Sequence, residues 1–284
     1  MELNEHLKQL ISMSLAEDIG DGDHSSLSCM DPKVPGEMKL LVKQDGVLCG
    51  VDVAEEIARQ MDPDIRMERF IEDGAAIHQG DIVFILRGSA QKMLTAERTI
   101  LNFMQRMSGI ATNVRAYVEM VKDTGVTLLD TRKTTPNMRY FEKYAVKVGG
   151  AENHRIGLFD MMMLKDNHID FAGGIEQAID RAIAYQKEHG LSLRIEVETR
   201  NIDDVRRVMA HGGIHRIMFD NFTPEQILEA IKVVDHRYET EASGGITDET
   251  LHDYATTGVD FISIGAFTHQ IHSLDLSLKT IIHH

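Results

Sequence analysis

The stretch Leu193–Asn221, LRIEVETRNIDDVRRVMAHGGIHRIMFDN, decides the fold. LRIEVET and RIMFDN read as short strands, and NIDDVRRVMAHGG between them has a helical pattern. A strand, a helix and a second strand in so short a span form a parallel βαβ unit, wound in one sense. The same rhythm runs from about Thr124 onward. VTLLDT, MMMLKD, TEASGG and DFISIGA are further apolar runs that end in polar residues or glycine. IEQAIDRAIAYQKEHG, TPEQILEAIKVV and TDETLHDYATTG are the helices between them. Several strands are nearly all apolar, as expected where helices cover a sheet. About six or seven units, rather than eight, predict an α/β fold with an open, incomplete (β/α) barrel of about seven strands.

The chain before that point has a different character. Leu3, Leu7, Leu10, Ile11 and Leu15 recur at helical spacing and predict a helix ending near Gly20. EDIGDGDHSS then reads as a turn-rich connector. Lys39–Val42 and Gly46–Val51 read as strands, DVAEEIARQMD as a short helix, and ERFIEDGAAIHQGDIVFILRGSA as hairpins with glycine turns. A long helix from Lys92 to about Val121 buries Leu94, Ile100, Leu101, Met104 and Met107. This predicts an N-terminal α+β domain over residues 1–115, with the open barrel over 116–271.

Composition excludes several function classes. The 284 residues are 43% hydrophobic and 26% charged, which is the balance of a globular protein. A formal net charge of -15 would repel nucleic acid and anionic membranes, so neither is expected as a partner. Two cysteines, Cys29 and Cys49, form no CxxC pair, which argues against a zinc site and fits a reducing cytoplasm. No apolar run reaches the roughly 20 residues that span a bilayer. MELNEHLKQLISMSLAEDIGDGD has no apolar core of a signal peptide. The final pair, His283 and His284, reads equally as native sequence or as the start of a tag.

Against this acidic background, Asp130–Asp170 concentrates cations: Arg132, Lys133, Arg139, Lys143, Lys147, His154, Arg155, Lys165 and His168. Active sites of parallel barrels lie at the carboxyl ends of the strands. Those ends carry three kinds of residue. Arg132, Lys133 and Lys165, with His154 and Arg155 from an intervening loop, would repel one another unless they shared an anion; arginine suits carboxylate or phosphate. Arg139, Lys143 and Lys147 lie at i, i+4 and i+8, which makes a helix stripe; a solvated face suits Lys143, while Arg139 and Lys147 could position phosphate. Glu198 and Asp220 end adjacent strands, where carboxylates hold a divalent cation or sugar hydroxyls. Glu196 faces the same way as Glu198, and spacing does not choose between them. Ser243-Gly244-Gly245 and Ile264-Gly265-Ala266 end the last two strands, the usual place for a phosphate cradle. A phosphorylated polyanion accounts for all three sets. DMMMLKD reads as a buried strand, and neither a P-loop nor a dinucleotide fingerprint is present.

LTAERTILNFMQRMSGIAT, DTRKTTPNMRYFEKYAVKVGGAENHRIGLFDMMMLKDNH, IEVET, MFDN, EASGGIT and GVDFISIGAFTH closely resemble the quinolinate phosphoribosyltransferases. The resemblance covers nearly the whole chain. Asn137, where family members often have glycine, is a small departure. The resemblance implies an N-terminal sandwich domain joined by the C-terminal tail 272–284, followed by an open seven-stranded barrel. It implies a homodimer with shared sites, or a higher oligomer, in which Arg98 reaches the partner's barrel. It also implies conversion of quinolinate and phosphoribosyl pyrophosphate to nicotinate mononucleotide, pyrophosphate and CO2, with Mg2+. Lys133, Lys165, Glu198 and Asp220 would be catalytic. Arg98, Thr131, Arg132, Lys133, His154, Arg155 and Lys165 would bind the carboxylates and nearby phosphates. Glu198 and Asp220 would meet the ribose and, directly or indirectly, the metal, while Ser243–Gly245 and Ile264–Ala266 would hold the 5-phosphate. Three rivals remain at this point: a phosphoribosyltransferase for another base, a Schiff-base aldolase using Lys165, and a non-catalytic anion-binding module.

Overall fold

The structure is a computed structural model that describes residues 1–31 and 33–282. His283 and His284 lie outside the described residues. The elements in order are α1 (Glu5–Ile19), α2 (His24–Cys29), β1 (Pro35–Val42), β2 (Gly46–Val47), α3 (Val51–Met61), β3 (Arg66–Arg69), β4 (Ala76–Ile77), β5 (Ile82–Ser89) and α4 (Ala90–Val121). They continue with β6 (Thr127–Leu129), α5 (Arg139–Gly149), β7 (Met162–Leu164), α6 (Asp166–Ala172), α7 (Ile175–His189), β8 (Ile195–Thr199), α8 (Ile202–His211), β9 (Arg216–Asp220) and α9 (Pro224–Val234). β10 (Glu239–Ser243), α10 (Leu251–Ala255), β11 (Phe261–Ser263), α11 (Ala266–His269) and β12 (Leu276–Thr280) complete the chain. Two compact units result: residues 1–115, 135–150 and 270–284, and residues 116–134 with 151–269.

In the first unit, an antiparallel sheet runs β12-β1-β5-β3, so the closing strand pairs with the first one, Leu40 opposite Leu278. α1 starts where the Asn4 side chain accepts the Leu7 N–H at 3.0 Å, and it buries Leu7, Ile11 and Leu15. The connector before β1 contains a helix that the turn residues concealed. Asp23 caps α2 by accepting the Ser26 N–H, and Thr95 Oγ1 donates to the same carboxylate at 3.1 Å. The strand expected over Gly46–Val51 ends at Val47, because Asp73 accepts both the Gly50 and Val51 N–H groups and starts α3 there. On α4 the buried stripe is Met93, Ala96, Ile100, Met104 and Met107; Leu94 is half-buried.

α5 also belongs to this unit, and it corrects the reading of Lys143. That side chain is 1% exposed, between buried Phe141, Glu142 and Ala145, and its charge is engaged rather than solvated. Arg106 pairs with Glu142, which also accepts the Thr135 N–H at 3.1 Å. Asn137 adopts φ +64, the left-handed region in which glycine and asparagine are the least strained residues.

The second unit is the open barrel. Six parallel strands run β6-β11-β10-β9-β8-β7. Beside them, Glu152 makes an isolated parallel bridge to Leu129, on the free edge of β6. β7 and Glu152 therefore flank the seam where the sheet does not close. Its helices begin as their sequences require: Asn201 caps α8 by accepting the Asp204 N–H at 2.9 Å. Thr223, Pro224 and Gln226 make a capping box with proline at the start of α9. Val197, Ile217, Phe219 and Ile262 are fully buried in the sheet.

Gly109, inside α4, has no space for a side chain: a Cβ there would stand 2.2 Å from the His272 carbonyl oxygen. Alanine normally favours a helix by ~1 kcal/mol over glycine, but overpacking against backbone costs ~1–3 kcal/mol. Gly109→Ala should therefore lower the urea unfolding midpoint. A midpoint that rises would refute the close approach of the returning tail.

Candidate active site

The carboxyl ends of the barrel strands gather most of the residues singled out from the sequence. Thr131, Arg132 and Lys133 follow β6; Lys165 follows β7; Glu198 lies on β8; Asp220 and Ser243 end β9 and β10; and Ile264 follows β11. All lie in one unit. Arg98 lies on α4 in the other unit, where it is exposed.

Three groupings can be resolved. In the first, Arg132 and Arg155 are close enough that burial, and then Arg132, lower the pKa of Arg155. Two guanidiniums that oppose one another's charge suit an anion held between them. Arg155 Nη1 donates to the Met161 carbonyl at 3.2 Å, which fixes the direction of its side chain. In the second, Lys165 is exposed at the start of α6, and its N–H donates to His168 Nδ1 at 3.0 Å. Burial and the Asp220 carboxylate raise the pKa of Glu198, and Lys165 opposes them. Glu198 and Asp220 thus share one space, and their mutual repulsion is what a bound cation would relieve. On β8 the two glutamates differ in depth: Glu196 is 0% exposed and one layer deeper, while Glu198 is 8% exposed.

The third grouping is the glycine loops. Asn221, at φ +57, donates from Nδ2 to Asp220 at 2.7 Å and from its N–H to the Ser243 carbonyl at 2.8 Å. Its Oδ1 leaves no room at Gly244, where a Cβ would stand 2.3 Å away. Asn221 therefore ties the carboxylate of one strand end to the glycine loop of the next, a role its spacing in the sequence does not reveal. Gly265 lies against Lys133, whose carbonyl accepts from Thr268 Oγ1 at 2.7 Å. The loop after Ser243 leads into turns before α10 rather than directly into a helix.

His154 is placed differently from the other cations. Its side chain is buried, with Nε2 3.0 Å from Glu196 and 3.3 Å from Glu241. Arg216 reaches the same Glu241 at 2.7 Å. Burial alone would lower the pKa of the ring, but the two carboxylates push it up to about 9. Glu196 is raised to about 7 by burial and by Glu241. Burial would also raise Glu241, but His154 and Arg216 outweigh it and hold the group low. Meanwhile the Arg155 N–H lies 2.7 Å from His154 Nδ1, where it needs a lone pair. That hydrogen bond favours a neutral ring with its hydrogen on Nε2, against the carboxylates, which favour a ring charged at both nitrogens. Arg216 and Glu241 escape a sequence reading, and Glu196 is noted there without these partners, because only the pairing of β8, β9 and β10 brings the three together.

Comparison with known proteins gives a consistent picture. Residues 23–108 match the family model of the N-terminal domain of quinolinate phosphoribosyl transferase, and residues 110–279 match that of its C-terminal domain. The chain is 41% identical to quinolinate phosphoribosyltransferase (decarboxylating) 1b of Nicotiana tabacum, over 96% of this chain and 82% of that one. It is 39% identical to the probable nicotinate-nucleotide pyrophosphorylase (carboxylating) of Bacillus subtilis, over 97% and 94%. The structure of nicotinate-nucleotide pyrophosphorylase from Francisella tularensis superposes with a TM-score of 0.92 at 38% identity, covering 99% of this chain and 98% of that one.

Asn221 should discriminate between substitutions at one position. Asn221→Gly and Asn221→Ala both lose the bond to Asp220, but alanine adds the left-handed strain of ~1 kcal/mol. Asn221→Ala should therefore unfold at lower urea than Asn221→Gly. Equal midpoints would mean the turn relaxes out of the left-handed region.

Proposed function

We propose, from the premise that this chain belongs to the quinolinate phosphoribosyltransferase family, that its barrel strand ends bind a pyridine dicarboxylate at one side and a phosphosugar at the other. The activity is that of the family: quinolinate and phosphoribosyl pyrophosphate give nicotinate mononucleotide, pyrophosphate and CO2, in de novo NAD biosynthesis. Matches across both domain families decide against the Schiff-base and non-catalytic readings. The observation that carries the site assignment is that Arg132 acts on Arg155, and Asp220 and Lys165 on Glu198, at the carboxyl ends of strands of one sheet.

On this reading, Arg132 and Arg155, with Lys133 and Lys165, hold the two carboxylates of quinolinate and the phosphates near them. Thr131 lies beside them. Arginine forks fit carboxylates in a fixed plane, so the ring nitrogen is aimed rather than merely captured. Glu198 and Asp220 face the sugar and stabilise positive charge developing on it as pyrophosphate departs. The pyridine nitrogen then bonds to the anomeric carbon. The resulting pyridinium accepts the electron pair left when the adjacent carboxylate departs as CO2, and a proton takes its place. Ser243–Gly245 and Ile264–Ala266, with Lys133 against Gly265, offer backbone N–H groups to the 5-phosphate. The acidic pair also fits Mg2+: both are hard oxygen donors whose charges repel one another in the absence of a cation. Glu198 and Asp220 would hold the ion, directly or through water, and the ion would offset the charge of the pyrophosphate. His154 enters this scheme through Arg155, because its ring is buried.

A homodimer completes the reading. Arg98 is exposed on α4. In the barrel unit, Leu158 is 72% and Phe159 67% exposed, an apolar tip that a second copy would cover. Among the described residues no helix is long and apolar enough to cross a membrane, and Cys29 and Cys49 are unbridged. A reducing cytoplasm suits both facts.

Incubation with quinolinate, phosphoribosyl pyrophosphate and Mg2+ should yield nicotinate mononucleotide. Arg132→Ala and Arg155→Ala should each raise the KM for quinolinate by roughly 10-fold to 100-fold, because each removes charge-assisted bonds. Melting temperatures should change little, since both side chains are only half-buried. Normal turnover of quinolinate by both variants would refute the clamp. Mixing Arg98→Ala with Lys165→Ala protein should restore activity through hybrid dimers that carry one intact site. Absence of recovery despite proven subunit exchange would refute a shared site.

A further inference from the structure

Residues 152–161 cross the seam where the sheet does not close, and they carry Arg155. Parallel strands are held by evenly spaced bonds that alternate between the two chains. Where the crossing leaves β6, that alternation can be followed bond by bond. The Glu152 N–H donates to the Leu128 carbonyl at 2.9 Å, and the Asp130 N–H donates to the Glu152 carbonyl at 3.2 Å. The next bond of a continued ladder would run from the His154 N–H to the Asp130 carbonyl. Instead, the His154 N–H donates to the Asp130 carboxylate, at 2.8 Å. A side chain takes over from the backbone at the point where the crossing departs from the sheet.

Asp130 is fully buried. A carboxylate shut away from water is costly unless its oxygens are taken up, and a ladder bond would have held the chain without one. The bond it makes lies between two cations. Arg132 follows Asp130 by two residues, and Arg155 follows His154 by one. Both arginines are half-buried, and Arg132 acts against the charge of Arg155. Like charges drive apart the segments that carry them unless something holds those segments together. Arg155 has bonds of its own, from its N–H to His154 Nδ1 and from Nη1 to the Met161 carbonyl. Those two stay within the crossing. The Asp130 bond ties the crossing to the strand end that carries Arg132, and a bond to an ionised acceptor is roughly twice as strong as a neutral one.

We propose, on the basis of the dicarboxylate clamp above, that Asp130 is a positioning residue for quinolinate. By accepting the His154 N–H, its carboxylate sets the spacing of the Arg132 and Arg155 segments against the repulsion of their charges. The two guanidiniums are then in place before the substrate arrives, and binding does not have to bring them together. Asp130 acts through the backbone of both segments.

The test uses the full chain with Asp130→Ala, which removes the acceptor, and Asp130→Asn, which keeps an acceptor oxygen in the same place. Asp130→Ala should raise the KM for quinolinate by roughly 10-fold, since a group misplaced by ~1 Å costs up to about 100-fold. Asp130→Asn should bring it back to within about three-fold of the wild-type value. The KM for phosphoribosyl pyrophosphate should stay within about three-fold in both variants. Glu198, Asp220 and the glycine loops lie on other strands, and Thr268 Oγ1 holds the Lys133 carbonyl independently. In an Arg155→Ala background, Asp130→Ala should raise the quinolinate KM by less than about two-fold, because its effect runs through the missing side chain. Equal changes in both constants, an asparagine variant no better than alanine, or a full additional loss without Arg155 would each overturn the proposal. If Asp130→Ala fails to fold, the bond can be read in the wild-type protein. Spectra of protein labelled with nitrogen-15 and carbon-13 should show a coupling across the hydrogen bond from the His154 amide nitrogen to the Asp130 carboxyl carbon. Its absence, where the Glu152–Leu128 coupling is seen in the same spectrum, would overturn the proposal. Failure of the wild-type protein to turn over quinolinate, or an unchanged KM in Arg155→Ala, would instead bring down the clamp itself, so the two failures are distinguishable.

Discussion

A parallel sheet that stops short of closure leaves two edges that share no hydrogen bonds. In this protein β7 is one of them, and the bridge residue Glu152, beside β6, is the other. The chain must still pass from one to the other, and residues 153–161 do so. Backbone polar groups in such a crossing need partners from outside the ladder. Asp130, the His154 ring nitrogen Nδ1 and Asp160 within the loop supply them. Asp160 accepts the Ile156 and Gly157 N–H groups at 2.7 and 2.9 Å. The gap thus turns a connection into a rigid arm on which a cationic clamp can be mounted. A closed barrel would have placed those groups in a ladder and left Arg155 pointing with the pleat.

The electrostatic plan follows from the same geometry. Cations lie at strand ends and on the crossing; carboxylates lie on β8, β9 and β10. Between the outer layer, Glu198 and Asp220, and the inner layer, Glu196 and Glu241, the division is one of depth along parallel strands. The outer pair keeps access to solvent and so to a diffusible cation. The inner pair is shut away, and its counter-charge is a fixed arginine. Residues of one chemical type on one strand thereby acquire different work, as the period-2 alternation of β8 allows.

Much of this is legible in the sequence. Strands buried beneath helices are nearly all apolar, so the first polar residue after each marks a strand end, and Lys165, Asp220 and Ser243 are found that way. The barrel's incompleteness is legible from the number of units. The inner cluster is not legible, because Glu196, Arg216 and Glu241 are far apart in sequence. Only the lateral register of β8, β9 and β10, with Glu196 opposite Arg216 and both near Glu241, brings them around one ring. Lys143 is misread for a related reason: charges at i, i+4 and i+8 look like a solvated stripe, and local spacing says nothing about what covers the helix. Asn137 and Asn221 have the opposite character, since their left-handed backbones need a residue of their kind and the reason shows only when φ is known.

The pairing of β12 with β1 has a consequence for how the protein is made. A ribosome releases the first unit's β1, β3 and β5 long before Leu276–Thr280 exist. Until then β1 has an unprotected edge, the kind of surface that recruits stray strands. The barrel strands emerge in the interval and can assemble while that edge waits. The unit synthesised first is therefore completed only after the barrel strands have emerged, and β12 acts as the clasp that closes it.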